Sequence, residues 1–272
     1  MLGEHFKVDY SKAIPNSANV ITGDKYRFTV LTERLIRIEY NENGVFENRP
    51  TELVWYRNMP VVSFEKKEDS RFLEIKTKYF KLTYIKNKPL KGTKLNAMAN
   101  FKVELLNSDR IWYYGNPEAT EARNYGSPGL SLDDTNKLKL KRGLYSPYGY
   151  SYLDDSNGMI MNEDGTVSPR EDGSIDIYLF MYLKDFALCL KDYYAITGYP
   201  SLIPRYALGN WWSRNIDYDD ESLKDLITNF EEHDIPLSVL LLDKDWHIRN
   251  YNNKLLDTGF TWNLDKFGSP KV

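Results

Sequence analysis

Apolar and polar residues alternate through the first two thirds of the chain. Phe101-Lys102-Val103-Glu104-Leu105 is a clean period-two run. Tyr26–Thr32, Leu35–Tyr40, Phe72–Lys76 and Phe80–Ile85 alternate less strictly, and residues 61–64 and 175–181 are further short apolar runs. Polar turns such as Asn41-Glu42-Asn43-Gly44 and Lys86-Asn87-Lys88-Pro89 separate them. Many short strands with regular turn signals predict an antiparallel β-sandwich over residues 1–183.

The period changes at Lys184. Asp185 can cap a helix through Phe186, Leu188, Cys189, Tyr193 and Ile196. Gly198 can end it in the left-handed conformation, and Pro200 stops any continuation. Residues 184–204 therefore read as a connecting helix and linker. Residues 206–212 form a candidate strand. Asp219 or Asp220 then caps a helix with Leu223, Leu226, Ile227 and Phe230 on one stripe. Pro236 breaks it. Residues 237–242 are almost all apolar, as in a strand buried on both faces of a parallel sheet. Strand, helix and strand make one βαβ unit. The fold class is mainly β.

Composition narrows the function. The 272 residues carry 36 Lys plus Arg against 39 Asp plus Glu, a net charge of -3. No single-sign field is available for a nucleic-acid backbone or an anionic membrane, so neither is an expected partner. Cys189 is the single cysteine, which excludes an internal disulfide and a multi-cysteine zinc site. It reads as a small buried hydrophobe. Residues 1–19 show no signal-peptide pattern, and the run 237–242 is far short of a membrane span. A cytoplasmic protein is the expectation. Aromatics reach 14%, with 21 Tyr, 12 Phe and 6 Trp. They suit strands, and their faces also suit the C–H surfaces of sugar rings.

Chemistry concentrates just past the second strand, at Asp243-Lys244-Asp245-Trp246-His247. In parallel α/β folds the carboxyl ends of the strands face the ligand crevice. Asp243 there can accept hydrogen bonds from substrate hydroxyls. Asp243 with Asp245 could be an acid–base pair, but residues two apart on one strand point the same way. Glycosidic chemistry needs carboxyls about 5 to 9 Å apart across the scissile bond. Asp243, Asp245 and His247 also have usable metal-ligand types. Asp245 reads as a structural ion-pair partner of neighbouring strand ends. Trp246 and Trp262 either line a sugar site or cover its rim, and His233 reads as a helix C-terminal dipole partner.

These motifs carry a family resemblance. Arg205-Tyr206-Ala207-Leu208-Gly209-Asn210-Trp211-Trp212-Ser213-Arg214, followed by Ile235-Pro236-Leu237 and the strand ending in Asp243-Lys244-Asp245-Trp246-His247, resembles glycoside hydrolase family 31. Gly259-Phe260-Thr261-Trp262-Asn263, Arg142-Gly143-Leu144-Tyr145-Ser146 and the Gly149 to Ser156 segment are similar to family segments as well. The resemblance implies an N-terminal β-sandwich followed by the first βαβ unit of a (β/α)8 catalytic barrel, here incomplete. It implies retaining hydrolysis of α-glycosidic bonds in oligosaccharides, through one Asp nucleophile and a second Asp as acid/base. The position of Asp243 then lies beside the non-reducing sugar, and the substrate-binding set is Asp243, Asp245, Trp246, His247 and Asn215. No cofactor and no metal are implied.

The sequence departs from the family at three places. Asn215 stands where relatives often carry an aromatic wall residue, Pro147 replaces an Arg, and Lys244 replaces a Met. The two catalytic aspartates lie on later barrel strands, so no catalytic residue is assigned in residues 205–272. Two strands cannot close a barrel. Self-association, or pairing with the remaining barrel, is expected of the exposed strand edges. A non-catalytic carbohydrate-binding or structural module is the alternative.

Overall fold

The computed structural model describes residue 3 and residues 7–90, 100–116, 143–170, 173–251, 254–255 and 261–268. Arg142, Gly259 and Phe260 of the motif segments lie outside them. The chain forms two compact units, Met1–Pro200 and Ser201–Val272.

In the first unit the strands are β1 (Val20–Thr22), β2 (Tyr26–Thr32), β3 (Leu35–Tyr40), β4 (Glu65–Glu68), β5 (Phe72–Lys76) and β6 (Phe80–Ile85). Then follow β7 (Phe101–Leu105), β8 (Ile111–Trp112), β9 (Ser151–Asp154), β10 (Ile160–Met161), β11 (Val167–Ser168) and β12 (Ile175–Phe180). They build two five-stranded sheets, ordered β1-β2-β3-β12-β9 and β4-β5-β6-β7-β8, with β10 and β11 as a separate hairpin. Every pairing among them is antiparallel.

Alternation explains how the two sheets share a core. Leu73, Ile75, Phe80, Leu82, Tyr84, Phe101, Val103 and Leu105 point one way from the second sheet. They join Phe28, Val30, Ile36, Ile38, Ile177 and Leu179 of the first sheet in one cluster. Phe28 meets Tyr84 edge-on at 5.4 Å and Phe101 at 5.7 Å, so rings bridge the sheets.

The other face of the first sheet is buried too. Leu31, Leu35, Tyr178 and Phe180 pack with Val54 and with Cys189 and Ile196 of helix α1 (Phe186–Thr197). Beside them, the polar positions of β2, β3 and β12 form ion pairs out of water. Arg27 grips Glu39 through two hydrogen bonds of 2.6 and 2.8 Å. Arg37 grips Asp176 the same way, at 2.8 and 2.7 Å. Arg170 Nη2 bridges Asp176 at 2.7 Å and Asp155 at 3.2 Å, and Arg57 Nε donates to Tyr178 at 2.7 Å. Burial works to raise the Asp176 carboxyl, but Arg37 outweighs it and holds it at about 2. Asp155 has weaker compensation. Burial, with the charge of Asp176 beside it, pushes it up to about 6.

Several expectations change. Residues 61–64 join no ladder. Val62 N–H donates to Asn19 Oδ1 at 2.9 Å, and the strand starts at Glu65. Asp185 caps α1 as expected, accepting from Leu188 N–H, and Cys189 is buried. Burial pushes the Cys189 thiol up to about 12. Gly198 takes a positive φ of 93°, but its ψ of 154° is extended rather than left-handed helical.

In the second unit, residues 205–208 form a 3₁₀ turn after Pro204 instead of the expected strand start. Strand β13 begins at Trp211 and runs to Asp217. Helix α2 (Asp220–Glu232) follows, capped by Asp219, whose side chain accepts from Ser222 N–H while Ser222 returns the bond. The next strand, β14 (Val239–Lys244), pairs parallel with β13. Gly209 lets the segment entering β13 pass close to Ser238: a Cβ there would lie 1.9 Å from Ser238 Oγ. β14 is not buried on both faces. Leu241 is 42% exposed, and among the described residues β14 has one ladder neighbour, β13. Among the described residues no helix is long and apolar enough to cross a membrane.

Candidate functional site

The β13–β14 ladder brings two of the five candidate residues together. It pairs Arg214 with Leu242 and then Asp217 with Lys244. Three steps along β13 therefore match two along β14. Asn215 and Ile216 together oppose Asp243, the pattern of a β-bulge. Bulges re-aim side chains at the ends of sheets, and this one sits at the carboxyl end of both strands. Asn215 and Asp243 are both exposed there. The pair offers an amide with donor and acceptor and a carboxylate that accepts, a set suited to neighbouring hydroxyls.

Asp245 does not continue the strand. β14 ends at Lys244, and Asp245 turns the chain with a φ of 53°, a left-handed conformation that Asp tolerates better than most residues. Asp243 and Asp245 are thus not two equivalent positions of one strand. Asp245 Oδ1 accepts from Arg249 Nη1 at 3.3 Å, an ion pair within its own loop rather than with a neighbouring strand end. At the strand end of β13 it is Asp217 that takes a partner, Lys266.

The turn delivers Trp246 and His247 to an aromatic cluster. Their rings lie 4.8 Å apart. Trp246 meets Trp262 edge-on at 5.2 Å, and Trp262 meets Phe267 at 5.6 Å. Backbone bonds fix this arrangement: Asn263 N–H donates to Trp246 O at 3.0 Å, Ile248 N–H to Thr261 O at 2.9 Å, and His247 pairs with Trp262. Phe267 is buried, while Trp262 keeps 36% of its surface exposed. The cluster is anchored at one end and open at the other.

Beneath the ladder, Trp212 packs edge-on against Phe230 of α2 at 5.3 Å and donates its Nε1–H to Tyr218 at 3.0 Å. Trp211 is 46% exposed, so Trp212 is the member of the pair that faces the helix. His233 ends α2, with its Nδ1 2.8 Å from Asn229 O. Among the described residues no group of three or more His, Cys, Asp or Glu is placed to hold a metal, so Asp243, Asp245 and His247 are not gathered as ligands. Sequence reasoning missed Asp217. The rule that singled out Asp243, a polar residue at the carboxyl end of a parallel strand, would have found it.

Parallel strands joined by a helix, with carboxylates and tryptophans past their carboxyl ends, make one βαβ unit with its polar groups at the carboxyl end. Residues 200–272 match the model of the glycosyl hydrolases family 31 TIM-barrel domain. A probable glucan 1,3-alpha-glucosidase of Oryza sativa subsp. japonica is 29% identical over 169 residues, 62% of this chain and 17% of that protein. Neutral alpha-glucosidase C of Mus musculus is 34% identical over 101 residues, 37% of this chain and 10% of that protein. Among solved structures, a GH31 alpha-xylosidase from Xanthomonas citri superposes with a TM-score of 0.53 at 11% identity, over 94% of this chain and 47% of that chain. A GH31 dextranase of Flavobacterium johnsoniae, complexed with glucose, gives 0.51 at 15% identity, over 92% and 34%. The resemblance of this chain to glycoside hydrolase family 31 is thus shown. The aligned segments span less than a fifth of the curated relatives, and the chain covers under half of these solved chains.

Proposed function

We propose that the chain supplies the sandwich domain and the first βαβ unit of the barrel of a retaining α-glycosidase. The observation that carries the reading is the bulged carboxyl end of the parallel ladder, where Asn215 and Asp243 stand together. Asp243 accepts hydrogen bonds from hydroxyls of the non-reducing sugar, Asn215 adds a donor and an acceptor, and the Trp246–Trp262 pair covers the apolar face of the ring. The nucleophile and the acid/base aspartates are assigned to no residue of this chain. The substrate class is an α-linked oligosaccharide, the cell compartment is the cytoplasm, and no cofactor takes part.

The second unit accordingly acts with further barrel strands, supplied by another copy or by the remainder of a barrel. Its apolar surface supports this: Ile227 of α2 is 40% exposed, Leu241 of β14 42% and Ile235 between them 48%. The direct experiment assays the chain for release of p-nitrophenol from aryl α-D-glucosides and α-D-xylosides. No turnover is expected. Turnover by the chain alone would overturn the assignment of the missing aspartates.

A further inference from the structure

A polar cavity lies wholly within the first unit, lined by none of the site residues assigned above. Its volume is about 110 Å³, and Glu39, Phe46, Glu47, Arg49, Arg170 and Ser174 are among its walls. Arg170 is 7% exposed, and its Nη2 is committed to Asp155 and Asp176. Its Nε is buried and has no hydrogen-bond partner among the described residues. A buried, unanswered guanidinium N–H costs free energy unless something accepts from it. Ser174 Oγ accepts from Asn41 Nδ2 at 2.8 Å, which leaves its own O–H to donate. On the acceptor side stand Glu39, gripped by Arg27, and Glu47, gripped by Arg49 at 2.9 and 2.7 Å. Each carboxylate has lone pairs beyond those it uses.

The wall charges decide the class of ligand. An anion drawn to Arg170 would meet the carboxylates of Glu39 and Glu47. A cation drawn to those carboxylates would meet Arg170 and Arg49. A hydroxyl group both donates and accepts, and carries no charge to be repelled. The volume sets the size. At roughly 30 Å³ per water the space holds about three or four water molecules, or as many hydroxyl groups. It is too small for a whole sugar ring. Val45, 52% exposed, also lines the cavity, and with Phe46 gives an apolar surface on which ring C–H groups can rest.

We propose that this cavity binds the hydroxyl-bearing edge of a neutral saccharide, making the sandwich unit a sugar-binding site in its own right. The site stands apart from the Asp243 reading, so either can fail without the other. The test follows the arginine Nε–H signals of the full chain by NMR during titration with D-glucose. The Arg170 signal is expected to shift saturably, Ser174→Ala to weaken binding about three- to tenfold, and gluconate and glucosamine to give no saturable shift. Ser174→Ala keeps the buried ion pairs but removes the acceptor of the buried Asn41 Nδ2, so a thermal melt first establishes that the variant is folded. No shift with glucose means that the cavity holds water only and overturns the proposal. Equal shifts with the charged sugars, or a shift that Ser174→Ala leaves unchanged, overturn it as well.

Discussion

Asn215 and Asp243 occupy the one interval of the β13–β14 ladder at which the register shifts, two residues of β13 standing against one of β14. Polar positions at strand ends are common. A bulge at that point is a more specific feature, because it turns side chains out of the pleat just where a barrel collects its ligand contacts.

The approach of the chain at Gly209 to β14 sets up that ladder, and it leaves no room for a side chain. Gly209→Ala would place a Cβ 1.9 Å from Ser238 Oγ and 2.5 Å from Ser238 Cβ. Overpacking of this kind costs about 1–3 kcal/mol. Amide hydrogen exchange is expected to quicken in β13 and β14 of the variant while the strands of the first unit keep their protection. Unchanged exchange in β14 would show that the close approach is not needed.

The open side of the second unit makes self-association the expected state at high concentration. Leu241 is 42% exposed on β14. Covering a leucine contributes about 1.5–3 kcal/mol, so Leu241→Asp is expected to weaken association at least tenfold in sedimentation velocity. A strict monomer at high concentration, with residues 205–268 protected from exchange, would count against pairing through this edge.

The buried charges of the first unit give two opposite signatures. Asp155 is raised from 3.8 to about 6, so the folded chain binds a proton there that the unfolded chain releases. Its contribution is fully present below about pH 4 and is lost as pH rises through about 6. Asp155→Asn carries no charge to bury. Its stability relative to the parent is therefore expected to improve by at most about 3 kcal/mol between those limits. Thermal melts of both proteins at matched pH values measure this, and a constant difference across the window would contradict it.

Asp176 works the other way. Held at about 2 by Arg37, it contributes stability above its unfolded value of 3.8 that disappears as pH falls through about 2. Asp176→Asn takes from the fully buried Arg37 its two-bonded carboxylate and leaves it Glu39, at 3.1 Å. Breaking a buried pair in this way costs about 3–5 kcal/mol, and urea unfolding at neutral pH is expected to show a loss of that size. A loss under 1 kcal/mol, about the scale of an exposed pair, would contradict the burial of the network.

The alternation of β5, β6 and β7 was legible because one face of that sheet alone meets the core. β3 was legible only in part. Ile36 and Ile38 mark its inner face, but Arg37 and Glu39 look like a solvent face and are buried, since the distant residues Val54, Arg57 and Arg170 help close over that side. No local pattern reports such a cover. Residues 237–242 mislead in the opposite sense: their hydrophobicity is that of a strand buried on both faces, and Leu241 is 42% exposed. Asp243 could be found from its strand position. Its meeting with Asn215 could not, because it depends on a register shift between strands separated by a helix.

The most direct measurement is hydrolysis of aryl α-D-glucosides and α-D-xylosides by this chain, first alone and then mixed with a separately produced remainder of a family 31 barrel. No release of p-nitrophenol is expected from the chain alone, and on mixing an activity that Asp243→Asn lowers about tenfold to a hundredfold, the loss of a hydrogen bond to a charged acceptor. Turnover by the chain alone, or activity on mixing that Asp243→Asn leaves intact, would contradict the proposed function.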